Sequence, residues 1–164
     1  MSSTASPAPR SIRPSAHDLN YMERLLLHAL RQWVQDRARW NEVVLEFNRA
    51  CGPRNATRLC EALDRLFRDL GAAARRHLRL YPPVCCHVSQ DELCMLNLFA
   101  THQAGANLHA NALLLLLVPE SAAPRIRDSA RTIALVLFET GYFLKPRTGP
   151  GRIGGGGRLR RVLH

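Results

Sequence analysis

Tyr81-Pro82-Pro83-Val84-Cys85-Cys86-His87-Val88-Ser89-Gln90-Asp91-Glu92 divides this chain and decides how the rest of it is read. Two successive prolines remove two backbone donors and push the residues before them into extended geometry, so no helix runs through this point. The preceding Leu78-Arg79-Leu80-Tyr81 alternates like an extended segment. Directly after the prolines, Ser89 with Glu92 three residues on spells a capping box, and Val88 can pack on Leu93 across the cap as a hydrophobic staple. A helix therefore starts at Ser89. It continues through Leu93, Cys94, Met95, Leu96, Leu98, Phe99 and Ala100 to about Ala104, apolar on nearly every side, which makes it a central helix.

Upstream of the prolines the pattern is amphipathic. Asp18 can cap a first helix over 18–34, with Leu19, Met22, Leu26, Leu30 and Trp33 recurring at three and four residues. A second helix is expected over 36–51, with Trp40, Val43, Val44 and Phe47 on one side. Gly52-Pro53 ends it and opens a third, since glycine suits the position after a helix and proline the first turn of the next. That third helix, over 53–76, turns Leu59, Leu63, Leu66, Phe67 and Leu70 inward, and Arg75, Arg76 and His77 would complement its dipole at the end. Downstream, Gly105 breaks the central helix, 107–118 forms a short apolar one, and Ser121 can cap a last helix over 122–140 that Gly141 closes. The expected fold is thus all-α: a single domain of five to six helices, a three-helix unit (18–77) and a C-terminal helical unit (89–144) joined by the 78–88 hinge and sharing one core.

Composition agrees with this and restricts function. The chain has 164 residues, 46% hydrophobic but only 6% aromatic, which suits an aliphatic helical domain. Its net charge is +10, from 23 basic against 13 acidic residues. The excess is terminal: Arg10 and Arg13 at one end, and Lys145, Arg147, Arg152, Arg158, Arg160 and Arg161 at the other, with no acid in either flank. Residues 1–17 and 145–164, rich in Ser, Pro, Gly and Arg, are expected to be flexible tails. Lys145 is the single lysine, a bias expected of a GC-rich, bacterial genome. No apolar leader precedes the domain and no window approaches the roughly 20 apolar residues that span a bilayer, so membrane insertion is not expected. Five cysteines without an export signal imply free thiols and a cytoplasmic location.

Cys85, Cys86, His87 and Cys94 are candidate ligands of a structural zinc, because thiolate and imidazole are what tetrahedral zinc takes. Their spacing is not the paired Cys-x-x-Cys of zinc fingers, and Cys94 reads equally as a core residue. No cofactor is otherwise implied. Cys86 beside His87 at a helix start is also a position where a thiol can be activated. No HExxH, GxGxxG, GxxxxGK or GxSxG pattern occurs, so an enzyme is not expected.

The C-terminal stretch Leu137-Phe138-Glu139-Thr140-Gly141-Tyr142-Phe143-Leu144-Lys145-Pro146-Arg147 resembles the end of a winged-helix recognition helix, where a helix closes on Gly before an apolar strand and a basic, Gly-rich wing. That resemblance implies a nucleic-acid-binding regulator, with Lys145, Arg147, Arg152, Arg158, Arg160 and Arg161 on phosphate. Such a tail can also bind nucleic acid non-specifically by counterion release. The other reading follows from the apolar helices: Leu25 and Leu27 beside the first stripe, and the run Leu113 to Leu117, offer more apolar surface than one small domain readily hides. A protein partner or homo-oligomer would cover it. The expected function is accordingly a helical, adaptor-like interaction or regulatory protein, with nucleic-acid binding as the alternative.

Overall fold

Asn20, not Asp18, starts the first long helix. In the computed structural model, which describes residues 14–147, α1 runs Tyr21–Gln35. The Asn20 side chain accepts from the Glu23 N–H at 2.9 Å, and the Glu23 carboxylate accepts from the Asn20 N–H at 2.9 Å. This is a second capping box, with asparagine in the place of serine. Asp18 lies instead in a short 3-10 turn, Ala16–Asp18, whose cap is Ser15.

α2 (Trp40–Cys51) begins later than expected, after a 3-10 turn at Arg37–Arg39, and Asp36 makes no capping bond. Gly52, at φ +79°, and Pro53 at the first position of α3 (Pro53–Ala73) work as their residue types predict. α3 stops three residues short of the expected end. Arg75, Arg76 and His77 therefore lie beyond it, and Arg75 donates from its backbone to Leu117 O at 3.0 Å.

α4 (Gln90–Gln103) carries the capping box read at Ser89 and Glu92. α5 (Asn107–Leu117) and α6 (Ala123–Glu139) follow. Ser121 does not cap α6; the capping position is Ala122, with Pro124 in the first turn. At its far end Gly141 N–H donates to Phe138 O (3.1 Å) and Tyr142 N–H to Leu137 O (2.8 Å), the paired bonds of a Schellman motif. Gly141 adopts φ +82°, which an L side chain resists.

The six α-helices bury one continuous core, and the described residues form no strand beyond an isolated bridge between Ser15 and His87. α3 is the spine of the N-terminal unit, packed by α2. α6 joins the two units by lying along α3 on one side and α4 on the other. Leu59, Leu63 and Leu66 thereby meet the same core as Ile126, Ile133 and Leu137, all fully buried. α4 sits among α1, α5 and α6 and is buried on most sides, as its apolar sequence requires. It nonetheless buries Asp91, Glu92, Asn97 and Thr101 too, so its burial is not purely apolar. Among the described residues no helix is long and apolar enough to cross a membrane.

Candidate interaction surface

One buried arginine builds the Pro-Pro-Val-Cys-Cys-His segment. Arg31, on α1, is 2% exposed, and Glu92, on the first turn of α4, is fully buried. The pair is bidentate, Nε to Oε1 at 2.8 Å and Nη2 to Oε2 at 2.9 Å. The same guanidinium donates to the carbonyls of Cys85 (2.8 Å), His87 (2.6 Å) and Pro82 (3.3 Å). Glu92 in turn accepts from the N–H groups of Tyr81 (3.0 Å) and Ser89 (2.8 Å). A buried charge pair is tolerated only when its remaining donors and acceptors are also used, and here the loop backbone uses them. Alongside, Asp91 holds Arg76 through both oxygens (2.9 and 2.7 Å) and accepts from the Arg79 N–H at 2.7 Å. Those bonds, the Arg76 side-chain pair first, hold the Asp91 carboxyl below its ordinary range despite its burial.

The expected zinc ligands do not converge. Cys85 is half-buried, while Cys86 and His87 are exposed. The backbone of this segment is taken by the N-terminal residues, Ala16 N–H to Cys86 O (2.7 Å) and Val88 N–H to Pro14 O (3.0 Å). Pro14 to His17, expected to be part of the flexible tail, are thus docked on the hinge. Cys94 lies more than a turn into α4, with its sulfur 3.8 Å from Leu113 O on α5. Burial pushes its thiol up to about 11, far from the thiolate that attack on an electrophile needs at neutral pH. Among the described residues, no group of three His, Cys, Asp or Glu side chains is placed to hold a metal ion.

The basic C-terminal residues divide. Arg152, Arg158, Arg160 and Arg161 lie outside the described residues. Lys145 and Arg147 belong to a docked strap over 142–147 rather than to a free tail. Arg147 forks onto Glu23 at 2.8 Å to each oxygen, and its backbone exchanges two bonds with the Asn97 amide (2.8 and 2.7 Å). Lys145 N–H donates to Glu23 as well (3.1 Å). Burial alone would raise the Glu23 carboxyl, but Arg147 and the N–H groups of Asn20 and Lys145 outweigh it and hold the group below its ordinary value. Further back, Gln103 donates to Tyr142 O and accepts from Leu144 N–H, both at 2.8 Å. The strap is extended but bonded to side chains of α1 and α4, so no β-ribbon follows α6 within the described residues. The basic, Gly-rich stretch that would form the wing lies beyond residue 147, outside the described residues.

The outer face of α6 carries a feature that the helix-by-helix reading passed over. Arg131, Leu135 and Phe138 fall at positions i, i+4 and i+7, on the side away from the buried Ile126, Ala130, Ile133 and Leu137. Leu135 is 51% exposed and Phe138 54%. Phe143 from the strap, 65% exposed, packs edge-on against Phe138 with ring centres 5.7 Å apart. Beside them opens a cleft of about 220 Å³, lined by His102 and Gln103 from α4, Asn107 from α5, and Arg131, Leu135 and Phe138 from α6. Both ring nitrogens of His102 are buried and without a hydrogen-bond partner. Burial, then Arg131 and Arg127, push this imidazole down to about 4, so it is neutral at physiological pH. Arg127 is occupied by the Asn111 amide. Arg131 forms no ion pair among the described residues. Leu108, next to Asn107 and 90% exposed, stands on the first turn of α5, which has no side-chain cap. The signal in the sequence was the second apolar stripe on α6, at helical spacing but opposite the first.

A second, larger depression of about 390 Å³ lies at the start of α4, bounded by Pro14, Arg76, Arg79, Tyr81 and Asp91. Within it Arg76 is paired with Asp91, and Ser89 Oγ donates to the Arg79 carbonyl. No protein-family model, curated protein or solved structure matches this chain.

Proposed function

We propose that this protein is a cytosolic, non-enzymatic interaction module that presents the outer face of α6 and the adjoining strap to a protein partner. The observation that carries this reading is the cluster of Leu135, Phe138 and Phe143, three large apolar side chains each more than half exposed and gathered beside one cleft. Isolated exposed apolar residues such as Leu45 on α2 are ordinary on any surface; a paired aromatic edge continuous with a cleft is what interfaces are made of. The charged groups around the hinge and strap support the same reading indirectly, because Arg31, Glu92, Glu23, Arg147, Arg76 and Asp91 are all engaged in holding the fold. A rigid scaffold frees its outer face for recognition.

The test is site-specific photo-crosslinking in the cell of origin, with p-benzoylphenylalanine placed at position 135, 143 or, as a control, 45. A discrete protein adduct from 135 and 143 and none from 45 is expected. An adduct of twice the monomer mass would identify a second copy as the partner. A nuclease-sensitive adduct would favour nucleic-acid binding instead, and no discrete product at either position would refute the reading.

A further inference from the structure

The cleft beside α6 is lopsided, and the imbalance specifies what fits it. Ala134, Leu135 and Phe138 give it apolar surface, while Arg131, Asn107, His102 and Gln103 are its polar residues. No acid lines the cleft. Asp128, one turn before Arg131 on α6, forms no ion pair with it. Gln103 offers nothing to a ligand, because its amide is committed to Ala134, Tyr142 and Leu144. Arg131 is therefore the available cation. A neutral imidazole presents one donor and one acceptor, and His102 uses neither internally. Leaving such buried groups unpaired costs about 1–3 kcal/mol each, but both nitrogens are closed to a group in the cleft, so Arg131 carries the polar recognition.

Size restricts the occupant further. About 220 Å³ is below the roughly 300–1,000 Å³ of sites that enclose a whole small ligand, so the cleft takes one side chain rather than a cofactor. Charge restricts it again. Residues 148–164 of this chain carry arginines and no acid, and would meet Arg131 with like charge.

We propose that the outer face of α6 receives an amphipathic helix of a partner protein, with one large apolar side chain entering the cleft beside Leu135 and Phe138, next to Phe143, and an Asp or Glu one turn away on Arg131. This rests on the interaction-module reading and adds the partner's chemistry. The mode is helix-in-groove recognition, in which anchors recur at three or four residues and a neighbouring charge sets register.

The experiment is selection of helical peptides from a random display library on the full-length protein, followed by affinity measurement of synthetic winners. Winners are expected to share a Leu, Ile, Phe or Trp with an Asp or Glu three or four residues away. Arg131→Glu should weaken them at least tenfold, and so should Phe138→Ser. Arg54→Glu, an equal charge change at an exposed site on the first turn of α3, should leave them within twofold, separating the cleft from the general attraction of a +10 protein for acidic peptides. Exchanging the acid for Lys in a winner should restore binding to the Arg131→Glu protein. Winners without an acid, or equally sensitive to Arg54→Glu, would overturn the proposed chemistry while leaving an apolar interaction surface standing. Failure to select any peptide would also overturn it. Winners indifferent to Phe138→Ser, with no crosslink from positions 135 and 143, would remove both the chemistry and the surface.

Discussion

Replacing Arg31 with methionine tests the claim that one side chain holds the hinge. Methionine keeps most of the aliphatic volume but removes the guanidinium, and with it five hydrogen bonds: two to Glu92 and one each to Pro82, Cys85 and His87. Glu92, fully buried, is left with only the Tyr81 and Ser89 N–H groups. Breaking one side of a buried pair typically costs 3–5 kcal/mol, because the surviving charge stays in a poorly polarisable site. A domain of this size has a total stability of about 5–15 kcal/mol, so the variant should still fold but near its margin. With a urea m-value of about 2 kcal/mol/M, the midpoint should fall by about 2 M. Urea titration followed by the fluorescence of Trp33 and Trp40, both on the N-terminal unit, and by far-UV circular dichroism, reads this directly. The companion variant Arg31→Met/Glu92→Leu should be more stable than the single one, because it withdraws the stranded carboxylate; the two changes are then strongly non-additive. A single variant within about 1 kcal/mol of the native protein, or a double variant whose loss is the sum of its parts, would refute the idea that this pair organises the segment.

Three further outcomes are expected. Arg147→Ala should cost about 2 kcal/mol at pH 7, the worth of a charge-assisted fork onto a buried carboxylate. The folded pKa of Glu23 is depressed, so this contribution is fully present above the unfolded carboxyl value and is lost as pH falls through the folded one. The native and variant denaturation curves should therefore draw together as pH falls below the ordinary carboxyl range. His102, lowered from 6.5 to about 4, works in a different window. Below pH 6.5 the unfolded imidazole takes up a proton that the folded one refuses, so stability present above that value declines towards pH 4. For a half-buried ring, screening reduces the effect to about 1–2 kcal/mol, and His102→Asn should flatten that part of the profile relative to the native protein. His28, also depressed by burial and by Arg39, should keep its smaller share of the slope in that variant. Gly141→Ala places a side chain at φ +82° with open space around it, so steric clash is absent and only backbone strain of about 1–2 kcal/mol is expected from thermal unfolding.

The helices and their breaks were readable residue by residue wherever the controlling interaction is local. Pro82-Pro83, the Ser89 and Glu92 capping box, Gly52-Pro53 and Gly141 each act within a turn of chain, so their chemistry does not depend on what packs nearby. Asp18 and Ser121 were misjudged for the same local reason: both are good capping types, but Asn20 with Glu23 makes the stronger reciprocal pair, and Pro124 starts α6 without a side-chain cap. Arg75, Arg76 and His77 were read as the charged end of a helix. Once α3 stops at Ala73, Arg75 turns to Leu117 and Arg76 to Asp91.

The surface was legible only in part. Phe138 and Leu135 form a stripe that periodicity could have shown, but Phe143 joins them only because Asn20 and Gln103 hold the strap against α1 and α4. His102 lost its partners through tertiary placement alone. Composition and pattern thus determined an all-helical chain, its break points and its apolar central helix, since these follow from backbone sterics and short-range bonding. Which charges are buried was settled only in three dimensions. Arg31 and Glu92 are 61 residues apart, and Arg147 and Glu23 are 124 apart. A sequence read by periodicity places such residues in water, because the cost of burying a charge is offset only by a partner that folding itself brings within reach.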